Sequence, residues 1–162
     1  MSFTNCQWLP NLILKKPMED EDSYLARLYL VFQNDFKTTQ PLFRGYRVGC
    51  RKHPITHGYE EGFFHLTSFD YFGKGFENRV LDEDRAARLP WIRPVIENYG
   101  CSRNCCRKLI IWNEQKRWKI LFPDERYLVV LDQRKNYYVV VTAYYIDKSH
   151  EHELQRYIRQ HT

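Results

Sequence analysis

The chain has no run approaching the ~18–20 apolar residues needed to cross a bilayer, so no membrane-spanning segment is expected. Its first residues, MSFTNCQWLP, lack a basic stretch followed by an apolar one, and no secretory leader is expected. Also missing are a GxxxxGK[ST] phosphate loop, a GxGxxG turn after a strand, a GxSxG elbow and an HExxH helix. Carboxylates do not recur along strands in the way a two-metal nuclease requires. Nucleotide-hydrolysing motors and metalloproteases are therefore set aside. Five cysteines form an odd, irregular set, which points to reduced thiols in a cytoplasmic setting rather than a disulfide framework. There is no internal repeat and no low-complexity tract.

What is present suits one folded unit. The 162 residues are 43% hydrophobic and 16% aromatic, enough for a single core and too aromatic for a disordered chain. The charge is unevenly placed. Residues 1–99 carry 13 basic and 13 acidic side chains, whereas residues 100–162 carry 12 and 7, so the whole excess of +5 falls in the C-terminal part. Such an excess suits a polyanionic partner, or simply keeps a small protein soluble.

The expected fold is α+β over a single domain, residues 1–162, with three parts. Residues 1–18 form an arm against the body. Residues 19–99 hold helices with an inserted strand pair, and residues 100–162 an antiparallel meander with a C-terminal helix. The carboxylates of Glu19–Asp22 stand where a helix would start, and Leu25, Leu28, Phe32 and Phe36 give it an apolar face over about 20–36. Phe43–Cys50 and Gly62–Ser68 read as strands, with His53-Pro54 and His57-Gly58 in the loop between them. Asp82 or Asp84 caps a helix through Arg85 and Arg88 that Pro90 interrupts, and a further helix covers Trp91–Tyr99, kinked at Pro94. Leu109–Trp112, Arg117–Phe122, Tyr127–Leu131 and Tyr137–Ile146 are β-branched and aromatic segments with hairpin-length links. Ser149 caps a last helix whose Leu154, Tyr157 and Ile158 face the sheet.

Three groups of residues could carry chemistry. In the segment Phe63-Phe64-His65-Leu66, His65 is an ionisable ring inside an apolar strand, and is either a core histidine bonded to a carbonyl or a proton shuttle. Arg79, Arg85 and Arg88 are candidate phosphate ligands, or a solvated face paired with Asp82, Glu83 and Asp84. By strand alternation Tyr138, Val140, Thr142 and Tyr144 share one face, while Tyr137, Val139, Val141, Ala143 and Tyr145 form the core face. The first set offers hydroxyls for a phosphate or rings for a base, or is an ordinary half-buried surface strand, and Lys119 on a neighbouring strand adds a cation. Cys50, His53 and His57 with Cys101, Cys105 and Cys106 are metal-ligand types at short spacing, although the spacing matches no standard zinc finger.

The strand ending in His65, the arginine-rich helix Arg85–Trp91 and the closing sheet with Tyr137–Tyr145 followed by a helix resemble the barnase–EndoU–colicin–RelE group. The likeness covers roughly residues 40–160. The resemblance implies a small metal-independent endoribonuclease without cofactor, of the toxin–antitoxin or phage-related kind. His65 would be general acid or base, Arg85 and Arg88 the phosphate clamp, and Thr142 and Tyr144 hydroxyl donors. Arg79, Lys119 and Tyr138 would touch RNA, and an antitoxin or immunity protein would be the protein partner. The alternative is a non-catalytic module that binds nucleic acid or protein, with or without structural zinc.

Overall fold

A computed structural model describes residues 8–70, 79–99 and 109–162. Helix α1 (Glu21–Gln33) starts where Asp20 accepts a hydrogen bond from the Ser23 amide at 2.7 Å, with Glu21 and Asp22 in its first turn. It buries Tyr24, Leu28 and Phe32 and loosens into a π-turn at Asn34–Thr38 that brings Phe36 into the same core. Leu25, expected on that face, is only partly covered, and Tyr24 takes its place. Before α1, Glu19 accepts both Arg27 Nε and Nη2 at 2.7 Å, and this paired hydrogen bond holds its carboxyl down at about 2.

The expected strand at 43–50 is folded back on itself. β1 (Leu42–Phe43) and β2 (Tyr46–Cys50) are joined by Arg44-Gly45, both at positive φ, which is the two-residue turn that matches strand twist. A second such hairpin joins β3 (Ile55–Thr56) and β4 (Tyr59–Glu60) through His57-Gly58.

Gly62–Ser68 is not the expected strand but α2 (Glu61–Thr67), followed by β5 (Ser68–Asp70), which pairs with β6 (Arg79–Leu81). Gly62, Phe63, Leu66 and Thr67 are the buried residues, a helical spacing. Side chains add hydrogen bonds to the carbonyls near the end of the helix. Thr67 Oγ1 donates to Phe63 O and Ser68 Oγ to Phe64 O, each at 3.0 Å, and Arg85 reaches the next ones. Tertiary contacts thus override the strand-like composition.

Asp82 caps α3 (Glu83–Ala87) by accepting from the Arg85 amide at 3.1 Å. A 3₁₀ turn at Leu89–Trp91 follows, then α4 (Ile92–Glu97), with Pro94 in its first turn, where the N–H it lacks would have no partner within the helix. The meander is as expected: β7 (Ile110–Glu114), β8 (Arg117–Phe122), β9 (Tyr127–Gln133) and β10 (Tyr138–Tyr145) pair antiparallel. The sheet order is β1-β2-β10-β9-β8-β7, with β2 parallel to β10. The last helix, α5 (Glu151–His161), is preceded by a 3₁₀ turn capped by Asp147, which accepts from Ser149; Ser149 is not itself the cap.

The sheet is covered on both sides. One core lies under α1, α2 and the 89–96 segment, with Phe43, Val48, Phe63, Tyr127 and Val140; the other lies under α5, with Trp112, Leu121, Leu128, Leu154 and Tyr157. Residues 8–14 lie against the first core, held by Ile13 N on Ala87 O, Tyr24 Oη on Ile13 O and Trp91 Nε1 on Pro10 O. No helix among the described residues is long and apolar enough to cross a membrane.

Candidate functional site

His65 projects from the last turn of α2 with its side chain 24% exposed, and its Nε2 lies 3.0 Å from Glu61 Oε1, one turn earlier. An ionised carboxylate only accepts, so Nε2 carries the proton and a neutral ring has its basic lone pair on Nδ1. The pair has the form of an oriented acid–base group.

Arg85 meets the same helix from below. Its Nη1 donates to His65 O at 2.9 Å and Ser68 O at 3.2 Å, its Nε stands 3.9 Å from Asp82, and the side chain is only 11% exposed. The guanidinium also lies 5.7 Å from the Tyr144 ring. Arg85 thus links the end of α2 to Tyr144 of β10, but the guanidinium is bound to backbone carbonyls and not presented as an open phosphate fork. Arg88 turns elsewhere: it donates to Asp84 O at 2.8 Å and stacks 4.2 Å from the Tyr145 ring.

Strand alternation through β10 does not survive. The register shifts between Val140 and Thr142, so Val141 is a bulge and the strand changes face there. Tyr138, Val140 and Ala143 point into the first core, whereas Val141 and Tyr144 lie with the α5 core. Tyr138, expected to stack on RNA, is 2% exposed and packed edge-on against Phe43 at 5.0 Å, so its ring is closed to a ligand. Thr142 pairs with Val130, which pairs with Lys119, so these two share the α5 face. Lys119 Nζ sits 3.5 Å from Glu114 Oε2 and 5.6 Å from the Tyr157 ring, underneath α5. Burial, first of all, raises the Tyr144 phenol above its ordinary value, and Glu153 adds to it. Arg79 lies in β6 with its side chain outside the described residues.

The cysteine–histidine set divides in the same way. Cys50 is a free thiol, pushed far up by burial and so held protonated. His53 and His57 occupy the loop and turn beyond it, and Cys101, Cys105 and Cys106 lie outside the described residues. Among the described residues no group of three or more His, Cys, Asp or Glu could hold a metal ion.

A second feature was missed in the sequence. A cleft of about 920 Å³ opens beside β2, lined by Lys37, Arg47, Arg51, Lys52 and Arg134, with His53 at its margin. Its acid is Glu60, whose Oε1 accepts from Tyr29 Oη at 2.6 Å and Lys37 Nζ at 2.9 Å. These hydrogen bonds raise the Lys37 ammonium above its ordinary value, so it stays charged. The signal for this cleft was an acid-free stretch: residues 36–59 hold Lys37, Arg44, Arg47, Arg51 and Lys52 and no Asp or Glu. Glu60 is followed directly by Glu61, and Gly62 N donates at 3.0 Å to the carbonyl of Arg51, so the start of α2 abuts one wall residue of the cleft.

No protein-family model, curated protein or solved structure matches the chain. The fold and its surface define an α+β protein with a helix-borne carboxylate–imidazole pair and a basic cleft.

Proposed function

We propose that the protein is a metal-independent endoribonuclease of the toxin or phage-related kind, with His65 as its general acid or base and Glu61 as the residue that orients it. The observation that supports this reading most directly is the 3.0 Å His65–Glu61 pair, on a helix whose start abuts Arg51 of a cleft rich in Lys and Arg. RNA supplies its own nucleophile. A base takes the 2′-OH proton, the 2′-oxygen bonds to phosphorus, the P–O5′ bond breaks, and the departing 5′-oxygen takes a proton. The products are a 2′,3′-cyclic phosphate and a 5′-hydroxyl end. Cations beside the phosphate stabilise the charge that grows on its equatorial oxygens. Arg85 then acts by fixing the end of α2, and the charge stabilisation comes from the cleft.

The test is incubation of structured and unstructured RNA with the protein in excess EDTA, with end-group analysis of the fragments. Cyclic-phosphate ends that fall roughly 10²–10⁴-fold in rate with His65→Ala are expected. Cleavage that stops on chelation, or that survives His65→Ala, refutes the assignment. In a host, the wild-type chain arrests growth, His65→Ala does not, and a neutralising partner protein restores growth.

A second reading is a non-catalytic nucleic-acid-binding module. It is favoured by Arg85 and Arg88, whose guanidinium groups serve carbonyls and rings within the fold. RNA that is bound but intact after long incubation selects it.

A further inference from the structure

We infer that the basic cleft beside β2 holds a single strand of RNA, with a base stacked on Tyr137 and the backbone phosphates on Lys37, Arg51 and their neighbours. This rests on the reading of the protein as an RNA-acting one and assigns a substrate form to it.

The cleft combines two kinds of surface. Its cations come from the end of α1's π-turn, from β2 with the loop after it, and from the β9–β10 hairpin, so they converge in space and not in sequence. Between them stand two apolar side chains that the fold leaves open: Tyr137 is 49% exposed and Ile55 57%. An exposed ring among Lys and Arg is the arrangement that binds unpaired strands, because every base has a face to stack while the phosphates follow the charge. A duplex offers the same phosphates but keeps its base faces inside the stack, so it has nothing to place on Tyr137.

Lys37 is built for such a ligand. Its Nζ is held 2.9 Å from Glu60 Oε1 and 3.3 Å from Tyr29 Oη, which uses two of its three donors and fixes the ammonium at the cleft wall. A lysine anchored in this way loses less side-chain freedom on binding phosphate than a free surface lysine does. The single carboxylate in the cleft is therefore a support for the cation and not a barrier to a polyanion.

The test uses a labelled 2′-O-methyl oligoribonucleotide, which has no free 2′-hydroxyl and so reports binding without cleavage. Affinity is measured by fluorescence anisotropy for the single strand and for the same strand in a duplex. The single strand binds more tightly, Tyr137→Ala weakens it about 5- to 150-fold, and Tyr137→Phe leaves it near wild type. Lys37→Ala and Arg51→Ala each lower the slope of log K against log salt by about 0.7. Equal affinity for the duplex, no response to Tyr137→Ala, or a preference for polyglutamate overturns the proposal. The two readings fail separately: binding as described with no cleavage of ordinary RNA removes the nuclease alone, whereas EDTA-resistant cleavage indifferent to Tyr137→Ala removes the cleft alone.

Discussion

Replacing Arg85 by methionine separates a structural arginine from a catalytic one. In the folded protein its Nη1 serves two carbonyls, His65 O at 2.9 Å and Ser68 O at 3.2 Å, close to the Asp82 carboxylate. Hydrogen bonds to a charged group contribute about 1.5–3 kcal/mol each, and breaking a buried charged contact from one side costs about 3–5 kcal/mol. At 11% exposure solvent screens these bonds little, so a loss of about 3–5 kcal/mol is expected for Arg85→Met. For a chain of 150–250 residues that corresponds to a fall in Tm of about 6–20 °C. Arg85→Lys, which keeps the charge but not the planar fork, should lose about half as much. Arg88→Met is the comparison: one carbonyl bond and a ring contact at 4.2 Å predict about 1–2 kcal/mol. Thermal and urea unfolding followed by circular dichroism measure all three. An Arg85→Met protein that melts within ~2 °C of wild type yet is inactive would refute the structural role and return Arg85 to the phosphate.

Two further perturbations probe the frame of the site. A Cβ at position 62 would come within 2.8 Å of Cys50 Cβ and 2.9 Å of the Arg51 amide, so Gly62→Ala should cost about 1–3 kcal/mol in a urea titration; an unchanged midpoint would show that α2 does not press on β2 as described. Burial pushes the Asp35 carboxyl up to about 6 from 3.8, against the pull of Arg93, so the folded state retains a proton that the unfolded chain has released between pH about 4 and 6. Stability therefore falls as pH rises through that window and is level above it. Asp35→Asn removes the penalty: a gain of about 1–2 kcal/mol at pH 7, discounted for partial exposure, that disappears by pH about 4. A gain of equal size at both pH values would contradict the cause.

The parts of this molecule that could be read from its sequence are those fixed by local pattern. β7 to β10 carry β-branched and aromatic runs with short polar links, and the first and last helices have apolar residues at helical spacing. The site fails to be local in two places. At α2, Phe63-Phe64-His65-Leu66 has strand composition but folds as a helix, and the arginine that bonds its His65 carbonyl, Arg85, lies 20 residues away in sequence. In β10, alternation holds on each side of Val141, but one inserted residue moves Thr142 and Tyr144 to the opposite face from Tyr138 and Val140. No composition rule marks where a bulge falls.

Charge misled for a different reason. Summed over residues 1–99 it cancels, which directs attention to the basic C-terminal part. Yet four of the five Lys and Arg residues of the cleft come from positions 37–52, and their balancing carboxylates at 19–22 stand before α1, where Asp20 caps the helix and Glu19 pairs with Arg27. Net charge counts a distant carboxylate as if it neutralised a nearby lysine. Over separations beyond a Debye length of about 8–10 Å at ordinary ionic strength, exposed charges barely do so. An acid-free window of a few turns or strands is therefore a better guide to a polyanion surface than the balance over half a chain. In this protein that window, residues 36–59, ends at the one carboxylate the cleft uses, Glu60, and the next residue, Glu61, is the partner of His65.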